Sequence, residues 1–170
     1  MKDKLVKLTN INVVSKTYGK KSLILGNFNL EINQEEVFGI IGKTGSGKTI
    51  IGKLLVDLLP KNIIVEKGTV LFKSNIIQKN NNFRGSVISM IFQDPFNSLN
   101  PLQTIKKQFS LLLKKRFNYK RNECIKNAEK HLEEVQLSNI IDKYPHQLSG
   151  GQIQRVMIAM AVSIKPRLII

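Results

Sequence analysis

Eight residues, GKTGSGKT at 42–49, hold the chemistry most directly legible in the sequence. Glycines at 42, 45 and 47 let the backbone curl until successive N–H groups point into one concavity, which suits an anion. A helix opening near Lys48 would add the positive end of its dipole. Lys48 would reach the β and γ phosphates of a nucleotide, and the Thr49 hydroxyl would ligate Mg²⁺. Ser46 completes the curl, while Lys43 and Thr44 fill variable positions, where a solvated side chain is the alternative to a contact.

A second glycine-bearing stretch, LSGGQIQR at 148–155, also runs into an apolar helical pattern. Ser149 offers a hydroxyl at what reads as a helix N-terminus, and Gly150 and Gly151 permit close approach of another molecule. Unlike the first loop, it has no lysine and no strand leading into it. It cannot hold a nucleotide alone.

These loops need elements to carry them. The run EVFGIIG, 36–42, reads as a short buried parallel strand feeding the first loop. Ile50, Ile51, Leu54, Leu55, Leu58 and Leu59 recur at helical spacing behind it, until Pro60 stops the pattern. Strand texture covers Leu5 to Val14, 23–32, 68–72 and SVISMIF at 86–92, with an asparagine-rich polar loop at 75–82. From Pro101 to about Leu137 the texture is helical. Ile105, Phe109, Leu112 and Leu113 share one face, and Ile125, Ala128, Leu132 and Val135 another. A further helix, about 151–164, carries Ile153, Val156, Met157, Met160 and Ile164 on one stripe. Lys165-Pro166 ends it and RLII begins another buried strand.

With 170 residues and 42% hydrophobic content, the chain is sized for one globular domain with a substantial core. No run reaches the roughly 18 apolar residues of a membrane span. The N-terminus lacks the apolar core of a secretory leader, and a single cysteine, Cys124, fits a reducing compartment. Net charge is +15, but lysine, asparagine and isoleucine are abundant together along the whole chain. The densest cluster, KKRFNYKR at 114–121, is read as a solvated face, with contact to an acidic partner as the alternative. His131, His146 and Cys124 read as structural residues.

LSGGQ at 148–152 followed by QR resembles the signature motif of ATP-binding cassette ATPases. The order of phosphate loop, Gln93 at a strand end, helical insert and signature is similar to that family over essentially the whole chain. The resemblance implies an α/β P-loop NTPase fold with an antiparallel β subdomain and an α-helical signature subdomain. Its divisions would be a nucleotide-binding core and β subdomain at 1–100, a helical part at about 101–147, and the signature helix with the start of the next strand at 148–170.

The resemblance also implies ATP and Mg²⁺ as ligands and ATP hydrolysis as the activity. Gly42, Lys43, Thr44, Gly45, Ser46, Gly47, Lys48 and Thr49 would bind the phosphates, with Lys48 and Gln93 the catalytic residues. Thr49 and Gln93 would meet the metal. Tyr18 stands 24 residues before Gly42, where an adenine-stacking aromatic is expected, an ordinary tyrosine being the alternative. Leu148, Ser149, Gly150, Gly151 and Gln152 would close over the γ-phosphate held by a partner cassette. QDPFNSLNP, 93–101, with Arg84 and Gly85, is similar to the bacterial importer subgroup for oligopeptides, dipeptides and nickel, with peptides favoured.

The implied partners are a second cassette, identical or related, two membrane permease subunits and, indirectly, an extracytoplasmic solute-binding protein. The expected place is the cytoplasmic face of the membrane, and no nucleic acid is expected. Rival readings are a soluble cassette ATPase of translation or DNA repair and a non-catalytic fragment. Glu35 stands where the family often has glycine. RLII stops where the family's Asp-Glu strand end would follow, so Ile170 is read as a truncation point, with hydrolysis nearly absent from these 170 residues alone.

Overall fold

Six apolar residues of the first strand, Leu5, Val6, Leu8, Ile11, Val13 and Val14, do not keep a strict alternation, yet all six are buried. The computed structural model of the chain, which describes residues 3–73, 75–76 and 87–170, shows how. Strand β1 (Lys4–Thr17) runs antiparallel to β2 (Lys20–Asn33) and to β3 (Ile63–Phe72), with β4 (Asn75–Ile76) beyond, in the order β2-β1-β3-β4. Register slips occur in β1 between Leu8 and Ile11 and between Val13 and Val14. A bulge re-phases the pleat, so residues at odd spacing return to one face. Asparagines satisfy the backbone there: Asn29 Oδ1 accepts from the Asn10 amide at 2.9 Å, and Asn12 Oδ1 from the Asn27 amide at 2.6 Å.

Contacts divide the chain into two compact units, Met1–Phe83 and Arg84–Ile170. The first contains the four-stranded sheet and helix α1 (Lys48–Leu55), which buries Ile51, Leu54 and Leu55. Leu58 and Leu59 fall beyond it, because the helix closes at Val56 with Asp57 left-handed.

One expectation fails in this unit. Residues 36–42 form no strand, and Val37 and Ile41 are fully open to solvent. An apolar run becomes a buried parallel strand only if neighbours flank it on both sides. The sheet of this unit is antiparallel, and none of its strands pairs with 36–42.

The second unit is helical around a single apolar cluster. Helix α2 (Ile105–Phe117) contributes Ile105, Phe109 and Leu113, and α3 (Arg121–Glu134) contributes Cys124, Ala128 and Leu132. Helix α4 (Gly150–Ser163) adds Ile153, Val156 and Ala159. Thr104 caps α2 by accepting from the Lys107 amide, and Asn118 ends it in the left-handed region. Strands β5 (Ile88–Ser89) and β6 (Leu168–Ile169) pair in parallel, so the two runs read as strands at 86–92 and 167–170 meet. Arg84, Gly85 and most of the asparagine-rich loop lie outside the described residues.

Candidate functional site

The first loop takes the backbone shape its glycines allow. Gly45 and Gly47 have φ of +83° and +92°, a region that an L side chain enters only at a cost. Gly47 is the N-cap of α1 and so provides no side-chain acceptor, and the first turn holds no acidic residue. The N–H groups opening α1 therefore point out of the helix without an internal partner, as an anion site needs. The Gly47 backbone lies against β2: a Cβ there would stand 2.8 Å from Leu25 Cδ2. At Gly42 it would meet Ser46 Oγ at 2.8 Å, which shows how tightly the curl closes.

Lys48 folds over this curl. Its Nζ donates to the carbonyls of Gly42 at 2.7 Å and Lys43 at 2.8 Å. The ammonium is thus held at the loop by two acceptors that an incoming phosphate would outcompete in charge. Thr44, Ser46 and Thr49 are exposed. Tyr18 sits at φ +50° in the turn between β1 and β2, its side chain fully exposed. No hydrogen bond or ring contact ties Tyr18 to the loop among the described residues.

In the second unit, Gln93 is exposed in a bend directly before a hydrogen-bonded turn. Asp94 organises that turn, accepting from the amides of Phe96 and Asn97 and from Asn97 Nδ2. The Asn97 side chain, then the Asn97 and Phe96 amides, hold its carboxyl below the ordinary aspartate value, against a small opposing effect of burial.

The second loop opens α4 with a reciprocal cap. Ser149 Oγ accepts from the Gln152 amide, and Gln152 Oε1 accepts from the Ser149 amide at 2.9 Å. Leu148 is buried and anchors the entry. Nothing lies within 4 Å of a Cβ built on Gly151, so that backbone faces open space.

Two neighbours were not singled out by sequence. The Phe96 ring lies against Gly150, 3.4 Å from a Cβ built there, so the turn after Gln93 touches the start of the signature helix. Arg155, on α4, donates to the carbonyls of Val135 at 3.2 Å and Gln136 at 3.4 Å, tying α4 to the end of α3. The arginine was visible as part of a motif, but the partner that gives it a task lies about twenty residues away. His146 stacks on Tyr144, and His131 bonds Glu134, consistent with structural roles.

Comparison with known proteins adds the following. The ABC transporter family profile matches residues 25–170. The dipeptide transport ATP-binding protein DppD of Lactococcus lactis is 33% identical over 99% of this chain and 51% of its own length. The oligopeptide transport ATP-binding protein OppD of Bacillus subtilis is 32% identical over 98% of this chain and 49% of its own length. The chain thus spans about half the length of these curated relatives. Among solved structures, the ATP-binding cassette MJ0796, a dimer in a post-hydrolysis state bound to ADP and Pi, superimposes with a TM-score of 0.85. It is 29% identical, with 97% of this chain and 72% of that one covered.

Proposed function

This chain belongs to the ABC transporter family and has its P-loop cassette fold, and from that premise we propose that it binds Mg-ATP and powers a peptide importer. The observation that carries the reading is the uncapped start of α1 at Gly47, with Lys48 folded over the same curl. The loop amides and the helix N-terminus would receive the phosphates, and Lys48 would exchange its two carbonyl acceptors for β and γ oxygens. Thr49, whose hydroxyl has no partner among the described residues, fits the protein's contribution to a magnesium site. When bound, the ion would neutralise charge developing on the transferred phosphate. Among the described residues no cluster of acidic, histidine or cysteine side chains offers a separate metal site. Gln93 would orient water at the γ-phosphate, and Tyr18, which makes no hydrogen bond or ring contact among the described residues, would stack on adenine.

Ser149, Gly150 and Gly151 would complete the site of a second cassette. The N–H groups of α4 would point to that cassette's γ-phosphate across the open space at Gly151. Closure of the pair would move two permease subunits at the inner face of the membrane. No helix among the described residues is long and apolar enough to cross a membrane, which fits a peripheral subunit. The names of the relatives favour dipeptides and oligopeptides as the solute.

A fluorescent-ATP titration of this chain tests the nucleotide part. Lys48→Ala removes a charge-assisted contact of about 2–3 kcal/mol, so affinity should fall roughly 30- to 150-fold. Because the acceptors of Lys48 among the described residues are exposed loop carbonyls, the unfolding midpoint should barely move. Equal binding by both proteins overturns the reading of the loop. For the solute, cells lacking the intact protein should lose peptide uptake and keep nickel uptake; the reverse would overturn the peptide assignment.

A further inference from the structure

Gln108 lies in the first turns of α2, and its side chain reaches back to the chain that precedes the helix. Its carboxamide oxygen accepts from the Asn100 amide at 3.0 Å. Its nitrogen donates to the carbonyls of Asn100 at 3.0 Å and Gln103 at 2.9 Å. Facing one N–H and two carbonyls, the side-chain amide has a single orientation that satisfies all three. Asn100 Oδ1 accepts from the Leu102 amide at 2.9 Å, and the Gln103 amide donates to the Asn100 carbonyl at 3.3 Å. One side chain therefore clasps the turn at 100–103 onto α2.

The base of that clasp is stiff. Ile105 and Phe109, on either side of Gln108, are fully buried, and Leu99 enters the same apolar cluster directly before the turn. The opening amides of α2, at Ile105 and Lys106, donate to the carbonyls of Lys143 and Ile141 at 2.9 Å and 2.7 Å. Lys106 also pairs with Asp142 at 2.9 Å.

Gln93 hangs in the segment that ends at this clasp. At the other end, the Ile91 amide donates to the Ile170 carbonyl at 2.8 Å, continuing the pairing of β5 with β6. Between the two holds, Gln93 is exposed, the Asp94 turn is closed by its own local bonds, and Phe96 rests on Gly150.

We propose that Gln108 is a positioning residue for Gln93, fixing one end of the segment that carries it. The proposal rests on the reading of Gln93 as the group that orients water at the γ-phosphate. A segment pinned at both ends has few shapes, and one released at an end has many. Water attack needs Gln93 in one geometry, whereas nucleotide held by loop 42–49 does not. Release should therefore lower turnover and spare binding.

Two substitutions test this. Gln108→Glu keeps the shape and the acceptor but removes both donors, and Gln108→Met removes all three bonds at similar volume. In amide exchange on this chain, both should lower protection of Phe96 and Asn97 roughly tenfold and change Ala128 and Leu132 of α3 less than about twofold. Lys107→Met, at the exposed neighbouring position, should leave all four amides unchanged. In the intact protein, both Gln108 variants should lower kcat for ATP hydrolysis roughly tenfold to a hundredfold, with KM for ATP within about twofold.

Equal losses of protection at Phe96 and Ala128 would overturn the proposal, since Gln108 would then only stabilise the unit. Unchanged kcat in both variants would overturn it too, as would full turnover in Gln108→Glu, where the two donations are gone. A rise in KM that accounts for the whole loss of kcat/KM would do the same. The exchange measurement involves no nucleotide, so it stands even if Lys48→Ala binds ATP normally. Conversely, failure here leaves the nucleotide titration intact.

Discussion

Replacing Gly47 by alanine separates the two costs that the loop imposes. At φ +92° a side chain meets its own backbone, at about 1–2 kcal/mol. The added Cβ also stands 2.8 Å from Leu25 Cδ2, and Leu25 is buried, so its side chain must move within packed surroundings. Overpacking of that kind costs about 1–3 kcal/mol. The total is roughly 2–5 kcal/mol. Gly45→Ala is the internal control: φ is +83° but nothing lies within 4 Å, so only about 1–2 kcal/mol of strain applies.

The strain of Gly47→Ala can appear in two places. If the loop keeps its shape, stability falls by the full amount. If the loop relaxes, stability is spared and nucleotide affinity falls tenfold for each 1.4 kcal/mol needed to restore the binding shape. Urea unfolding and a fluorescent-ATP titration on the same protein should therefore give losses that sum to about 2–5 kcal/mol. Leu25→Ala should cost less in the Gly47→Ala background than in the natural sequence, because it empties the space the new methyl needs. The reasoning is refuted if Gly47→Ala matches Gly45→Ala in the summed loss and Leu25→Ala costs the same in both backgrounds.

Two further outcomes rest on single observations. Gly68→Ala in β3 should destabilise more than Gly47→Ala by urea unfolding. Its Cβ would fall 2.6 Å from the carbonyl oxygens of Thr9 and Asn10, backbone atoms that cannot rotate away as Leu25 can, and φ is +102°. Asp94 has a folded-state pKa below its unfolded value, so its contribution is present above the ordinary aspartate range and is lost as pH falls through that range and below. Protection of the Phe96 and Asn97 amides, measured against their intrinsic exchange rates, should fall as pH drops below the ordinary aspartate range, and Asp94→Asn should remove that acid-induced step.

Much of the site could be read from residue order because its chemistry is local. The curl at 42–49 is made from backbone amides and glycine torsions within eight residues, and the capping box at Ser149 and Gln152 from residues three apart. Helical stripes such as Ile105, Phe109 and Leu113 are equally local, since periodicity alone decides which residues share a face. The curl, the helix start at Ser149 and these stripes are present in the fold; the return bond from Gln152 to the Ser149 amide was not expected. What needed coordinates was every feature whose partner is distant. Bulges in β1 depend on what β2 and β3 oppose to it. Arg155 acquires its role from carbonyls at the end of α3, and Phe96 from a glycine more than fifty residues later.

Residues 36–42 mark the boundary most clearly. The composition of that stretch specifies a strand that would be comfortable when flanked, but flanking strands are supplied by other segments, and in this unit none pairs with it. The groove beside α2 is the converse case, since Leu111 and the lysines around it read along the chain as an ordinary charged helix. Only the packing of α3 beside α2 turns that face into a concavity. Torsional preference and periodicity belong to neighbouring residues and are written in their order. Pairing, burial and concavity are properties of surfaces brought together from a distance, so the tertiary structure alone decides them.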